Sequence, residues 1–282
     1  MDTPLPRGEC PVADYILYSV ADRVATITLN RADRRNAQNQ QLLEELDEAF
    51  TRAAEDEAVR VIVLRAEGPH FSAGHDLSPE EIAKGAFRRI EETIPERGLL
   101  GIHEWEAKYY LGLSKKWRDI PKPTIAAVQG ACIAGGLLLA WPCDIIIAAD
   151  NARFSDPVVM MGIGGVEYHG HTWELGPRKA KEMLFTAKPI DAVEAERRGM
   201  VNRVVPLADL DTEARAMAVE IARMHPHALA MAKRAVNQTM DIMGQSAALQ
   251  SCFDIHQLGH ASAYGQTGQW IVAGMETVKG KA

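Results

Sequence analysis

Apolar and polar positions alternate early in the chain. Between Tyr15 and Leu29 the runs ILYSV and VATITLN read as two strands, the second with alternating apolar positions. Asn30 to Asn36 is polar and basic, a loop. From about Gln38 to Ala54 the period lengthens, with Leu42, Leu43, Leu46 and Phe50 at helical spacing. VRVIVLRAEG is a short apolar run closed by glycine, the pattern of a strand buried on both faces, and the loop FSAGHDL follows it. Ser78 to Arg97 is rich in Glu, Lys and Arg and predicts a solvated helix. Trp105, Tyr109, Leu113 and Trp117 fall at steps of four and predict an amphipathic helix over His103 to Trp117. That aromatic stripe reads as core, with roofing of a pocket as the other use. PTIAAVQG predicts a further buried strand, ACIAGGLLLAWPCD a helix begun by a glycine turn, and IIIAAD the next strand.

Beyond Phe154 the chain reads as loop until a helix over Arg178 to Thr186. A second helix, Asp191 to Arg198, ends at Gly199 in the C-cap position, and VNRVVP is a short strand stopped by proline. From Asp209 to about Met243 the pattern is helical, interrupted at Pro226. Two regions of different kind follow: an alternating β/α core over residues 1–205 and a helical region over residues 206–282. The apolar Leu210, Met217, Ile221, Met224 and Leu229 exceed what a peripheral appendage needs, so self-association is expected.

Composition narrows the function classes. With 282 residues, 47% hydrophobic and 24% charged, the chain matches an ordinary globular protein with a sizeable core. A net charge of −7 argues against a nucleic-acid surface, which needs a basic face. The four cysteines, Cys10, Cys132, Cys143 and Cys252, show neither metal-ligand spacing nor a disulfide framework, which places the protein in a reducing, cytoplasmic compartment. MDTPLPRGECPVADY is not read as a signal peptide, and the apolar stretch Thr124 to Ala149 is too interrupted to span a membrane.

Candidate chemistry lies in two glycine turns that each follow a buried strand: Ala73-Gly74-His75-Asp76 and Ala134-Gly135-Gly136. A strand ending in a tight turn leaves backbone N–H groups unpaired, and two such groups can converge on one oxygen. That arrangement stabilises an oxyanion formed from a thioester carbonyl. Either turn alone is also ordinary punctuation.

The strings LNRADRRNAQ, FSAGHDL, PTIAAVQGACIAGG, CDIIIAADNARFSDP and EMLFTAKPIDAVEAERRGMVNRVV, in this order and spacing, resemble the enoyl-CoA hydratase/isomerase (crotonase) family. The likeness runs from about Val20 to Pro206 and continues more weakly through the C-terminal helices. It implies an α/β fold, a crotonase-like spiral of ββα units with a helical C-terminal region. It also implies an acyl-CoA substrate and a homotrimer or dimer of trimers. No cofactor is implied beyond the coenzyme A of the substrate, and no nucleic acid, membrane or metal. By position, the oxyanion hole falls on the backbone N–H groups of His75 and Gly135. Ala73, Gly74, Asp76 and Leu77 would line the coenzyme path, and Arg34 or Arg35 would meet its phosphates, an arginine being a forked donor suited to phosphate oxygens. For one of these two arginines a solvated loop charge is the expected fate.

The chain also departs from the family. The two glutamates with which its hydratases hold and activate water fall on Leu138 and Val158, which can neither accept nor give a proton. Both therefore count as residues lining the acyl site. Replacement acids and bases are sought in GIGGVEYHGH, which carries Glu167, Tyr168, His169 and His171, with Asp156 and Asp76 as further candidates. The His75 ring is another, since methylmalonyl-CoA decarboxylase relatives carry a histidine at the matching place. The leading function is an enoyl-CoA hydratase/isomerase-type enzyme, with isomerisation, decarboxylation or carbon–carbon cleavage open; the alternative is an acyl-CoA-binding protein without catalysis. GIGG lacks the strand–helix unit of a dinucleotide loop, and His169-x-His171 lacks a third ligand.

Overall fold

The computed structural model describes residues 15–78, 80–81 and 97–272; most of the expected helix over Ser78 to Arg97 lies outside them. The first hairpin forms as the alternation predicts, β1 (Ile16–Ala21) antiparallel to β2 (Val24–Leu29). The polar segment Asn30 to Asn36 holds one tight turn, Ala32–Arg34. Helix α1 (Gln40–Glu55) starts at Asn39, whose side chain accepts from the Leu42 N–H at 2.9 Å. It buries Leu42, Leu43, Leu46 and Phe50, the apolar stripe of the sequence.

Strands β3 (Val61–Ala66), β4 (Thr124–Val128), β6 (Ile145–Ala149) and β9 (Arg203–Val205) continue in parallel from β2, in the order β1-β2-β3-β4-β6-β9. Side chains alternate between the two faces of a strand. Ile27, Ile62, Leu64, Ala126, Val128 and Ile146 face the main core with α1. Val24, Val61, Val63, Ile125, Ala127 and Ile147 face Leu210, Ala214, Ala218 and Ala222 of helix α7 (Leu210–Ala222). Both faces are covered, which is why these strands read as unbroken apolar runs. The first helix of the C-terminal region thus closes the second face of the sheet.

A second sheet contains β5 (Ala131–Ile133), β7 (Arg153–Ser155) and β8 (Ile190–Asp191), with β5 parallel to β7. The expected helix ACIAGGLLLAWPCD is therefore corrected. Its first residues form β5, and only Gly135–Ala140 is helical, here α4. The segment before it also differs: α2 (Leu99–Glu106) passes through a π-helical turn (Ala107–Gly112) into α3 (Leu113–Arg118). Past Phe154, α5 (His171–Thr186) begins earlier than expected and is broken at Gly176, where φ is +70°. α6 (Ala192–Arg198) is capped by Asp191 and Gly199. α8 (Pro226–Ile242) starts at the proline, and α9 (Gln245–Thr267) runs back across the molecule. Leu210 is buried and Met217 and Ile221 pack against the sheet, so these residues serve the chain's own core. Among the described residues no helix is long and apolar enough to cross a membrane.

Candidate active site

The two glycine turns lie against each other at the carboxyl ends of the parallel strands. Ser72 bridges to Cys132 of β5, and Gln38 bridges to His75. Gly74 has φ +91°, and a Cβ there would stand 2.8 Å from the Ile133 carbonyl oxygen and 3.2 Å from the Gly135 nitrogen. Only glycine allows that approach. Ala134, just before α4, holds a left-handed φ of +47°, a sparsely populated conformation for alanine.

Several neighbouring amides are engaged. Gly74 N–H donates to Ser72 Oγ at 3.2 Å, Asp76 N–H to the Gln38 carbonyl at 2.8 Å, and Ala134 N–H to the Ser155 carbonyl at 2.9 Å. The amides of His75 and Gly135 donate to no carbonyl among the described residues. Two donors free of partners on touching turns can serve a single oxygen.

The His75 ring fills the space beside Gly135. A Cβ on Gly135 would come within 2.8 Å of His75 Nδ1 and Cε1 and 3.1 Å of Gln38 Oε1. The ring stacks on Tyr110, centroids 3.8 Å apart, and its Nε2 lies 3.3 Å from Glu167 Oε1. His75 Nδ1 and Gln38 Oε1 are buried without a hydrogen-bond partner among the described residues. Orphaned polar atoms of this kind are rare in folded proteins and mark a place where a polar group can enter. Tyr110 reaches His75 from the π-helical turn, a device common near functional sites. Burial, reinforced by Glu167 and Glu106, keeps its hydroxyl protonated far above the usual tyrosine range.

Behind Glu167 lies a second polar layer. His256 Nε2 is 3.7 Å from Glu167 Oε1, 3.3 Å from Glu106 Oε2 and 3.0 Å from His260 Nε2. Gln257 donates to Glu106 Oε2 at 2.6 Å. Burial alone would raise the Glu106 pKa, but His260 and His256 outweigh it and hold the carboxyl well below the usual range. Burial would likewise lower the His256 pKa, but Glu167 and Glu106 push it up to about 9. Sequence reasoning missed Tyr110, Glu106, His256 and His260. The spacing of His256 and His260, one helical turn apart, is the signal that could have found two of them.

Of the other expected residues, several are committed elsewhere. Asp156 is fully buried, with Oδ2 2.9 Å from His171 Nε2, and it accepts from the N–H groups of Val158 and Val166. Burial would raise its pKa, but His171 and these amides hold it low. It braces the loop that delivers Glu167. His169 is half-buried beside Gly165 and the His171 ring, and burial with His171 drives its pKa down to about 4, leaving it neutral. Asp76 is held by the buried Arg31 at 2.5 Å. Leu77 packs against Ile102, while Ala73 N–H donates to the Arg35 carbonyl at 3.0 Å. Arg34 is exposed and 3.3 Å from Glu80, and Arg35 is exposed in a left-handed turn. Leu138 is buried in the core one turn after Gly135, and Val158 packs against the same core.

Comparison with known proteins identifies the family. The family described as enoyl-CoA hydratase/isomerase matches residues 20–263. The chain is 45% identical over 260 residues to a putative enoyl-CoA hydratase of Mycobacterium tuberculosis, covering 88% of this chain and 81% of that protein. Among solved structures, a probable enoyl-CoA hydratase from Mycobacterium smegmatis is 59% identical with a TM-score of 0.84, over 91% of this chain and 99% of that one. An enoyl-CoA hydratase/isomerase from Xanthobacter autotrophicus Py2 is 31% identical with a TM-score of 0.77, over 90% of this chain and 94% of that one.

Proposed function

The chain belongs to the enoyl-CoA hydratase/isomerase family, and from that premise we propose that it catalyses proton transfer on an acyl-CoA thioester through an enolate. The observation that carries this reading is the pair of unengaged amides, His75 and Gly135, on touching turns. Hydrogen bonds aimed at the thioester oxygen strengthen as negative charge develops on it, so they lower the barrier to enolate formation. Proton traffic falls to the His75 ring, with Glu167 at 3.3 Å to orient and charge-balance it.

Hydration fits this site poorly. It needs a water held and activated on one face and an acid for the α carbon. Leu138 and Val158 supply neither. Moving a proton from one carbon to another, or protonating an enolate left by carbon–carbon cleavage, asks for a single proton carrier. The His75–Glu167 pair suits that chemistry. Ala73 to Leu77 would line the coenzyme path, with Arg34 and Arg35 near its phosphates; coenzyme A enters as part of the substrate. Trimers, alone or paired, fit the apolar residues left exposed on the C-terminal helices, Ile242 at 87%, Leu258 at 67% and Val236 at 63%. A cytoplasmic location fits the cysteine usage.

The test is incubation with a panel of saturated, 2-enoyl, 3-enoyl and malonyl-type CoA thioesters, followed by mass spectrometry and NMR of the products. The reading expects isomerised or decarboxylated product from at least one of them. Binding without any product would instead make this an acyl-CoA-binding protein.

A further inference from the structure

The second polar layer brings two imidazole rings and a carboxylate together in the interior. His256 Nδ1 lies 2.7 Å from the Gly165 carbonyl oxygen, and His260 Nδ1 lies 2.7 Å from the Trp270 carbonyl oxygen. A carbonyl oxygen only accepts, so both Nδ1 atoms carry hydrogen, and each ring offers a lone pair at Nε2 once that nitrogen gives up its proton. Those two Nε2 atoms face each other at 3.0 Å, with Glu106 Oε2 3.3 Å from one and Oε1 3.4 Å from the other. Three electron-pair donors converge, all of them buried.

We propose that Glu106, His256 and His260 form a binding site for a divalent transition-metal ion, zinc by the chemistry of its donors. Zinc bonds of about 2.0–2.2 Å to imidazole and carboxylate in a tetrahedron require donors about 3.3 Å apart. The two imidazole nitrogens, 3.0 Å apart, stand near that edge, and the carboxylate meets each with a different oxygen, Oε2 at 3.3 Å from His256 and Oε1 at 3.4 Å from His260. The outer contacts also match a metal centre. Each imidazole is fixed by a carbonyl on its far nitrogen, and Gln257 holds the carboxylate. Two histidines and one glutamate leave a fourth position open.

The inference does not rest on the proposed reaction. The sequence alone implied no metal: the pair considered, His169 and His171, lacked a third ligand, and His256 with His260 was not weighed. These ligands come instead from α2 and α9, far apart in the chain. An ion here pins the C-terminal helix to the element that carries Tyr110, through Glu106 at the start of the π-helical turn.

The test uses the full chain, stripped with a chelator, reloaded with excess zinc sulfate and desalted. Elemental analysis should return one zinc per chain, with a higher melting temperature than the stripped protein. Reloading with cobalt(II) should give the visible absorption of a four-coordinate ion. His260→Gln and Glu106→Gln should each abolish retained zinc, while His227→Gln, on the surface of α8, should keep it. Retained zinc that survives both ligand substitutions would overturn the assignment. So would an unaltered chain that retains no zinc, shows no cobalt spectrum and melts identically with and without metal. The cobalt spectrum of the unaltered chain stays decisive even if the variants fail to fold.

Discussion

Replacing Gly135 by alanine separates the chemistry of the site from its packing. The added methyl would sit 2.8 Å from His75 Nδ1 and Cε1 and 3.1 Å from Gln38 Oε1. Unstrained contacts need about 3.5–4.0 Å, so the ring must retreat by about 1 Å. Tyr110 is already stacked on it at 3.8 Å, which limits the retreat and drags the His75 and Gly135 amides out of register. Overpacking of this kind costs about 1–3 kcal/mol of stability, which leaves a typical domain folded at 25 °C. Losing one oxyanion donor costs about 10²–10³-fold in rate, equivalent to about 2.7–4 kcal/mol in the barrier. Gly135→Ala should therefore melt a few degrees lower yet lose at least about a hundredfold in kcat/KM. The assay is steady-state turnover of the best thioester from the panel, alongside thermal melting. A folded Gly135→Ala protein that retains more than half of the parent kcat/KM would refute the oxyanion role.

Three further outcomes are expected. Asp156→Ala strips the amides of Val158 and Val166 of their acceptor and removes the carboxylate 2.9 Å from the buried His171. It should cost about 3–5 kcal/mol in denaturant unfolding, and a loss below about 1 kcal/mol would contradict the bracing role. Burial pushes the Glu174 carboxyl up to about 7 from an ordinary 4.5. A raised pKa means stability that is fully present below pH 4.5 and lost as pH rises through 7, by at most about 3 kcal/mol. Glu174→Gln should thus match the parent near pH 4 and exceed it by roughly 1–3 kcal/mol at pH 8, whereas a pH-independent difference would count against the shift. Finally, the unmodified protein should hydrate crotonyl-CoA feebly and Leu138→Glu with Val158→Glu should raise that rate; hydration by the parent above about 10² s⁻¹ would show that another residue supplies the carboxylate.

The strands were legible because burial on both faces leaves continuous apolar runs, as in Val61–Ala66 and Ile145–Ala149. The oxyanion turns were legible because glycine is required where two backbones touch, as at Gly74. The π-helical turn was not. It inserts a residue, so Tyr109, Tyr110 and Leu111 are all buried and the four-residue stripe from Trp105 loses its phase. β5 escaped because three residues carry too little period, and the start of α5 because Gly176 and Pro177 interrupt its pattern. Glu167 could be named from its loop. Its partner His256 could not, because periodicity says which face of a helix is apolar but not which distant element a buried histidine meets. Asp156 shows the converse: a carboxylate that reads as an acid–base candidate is consumed by His171.

The central claim is that the His75 and Gly135 turn stabilises an enolate beside a proton carrier. Exchange of the α-hydrogens of an acyl-CoA thioester in deuterium oxide measures that step alone, without requiring the natural acyl chain or the later chemistry. The protein should catalyse deuterium incorporation at the α carbon, followed by mass spectrometry, and Gly135→Ala should suppress it about 10²-fold or more. Tight binding of the thioester with no exchange above the buffer rate would contradict the account and leave a site that holds acyl-CoA without reacting it.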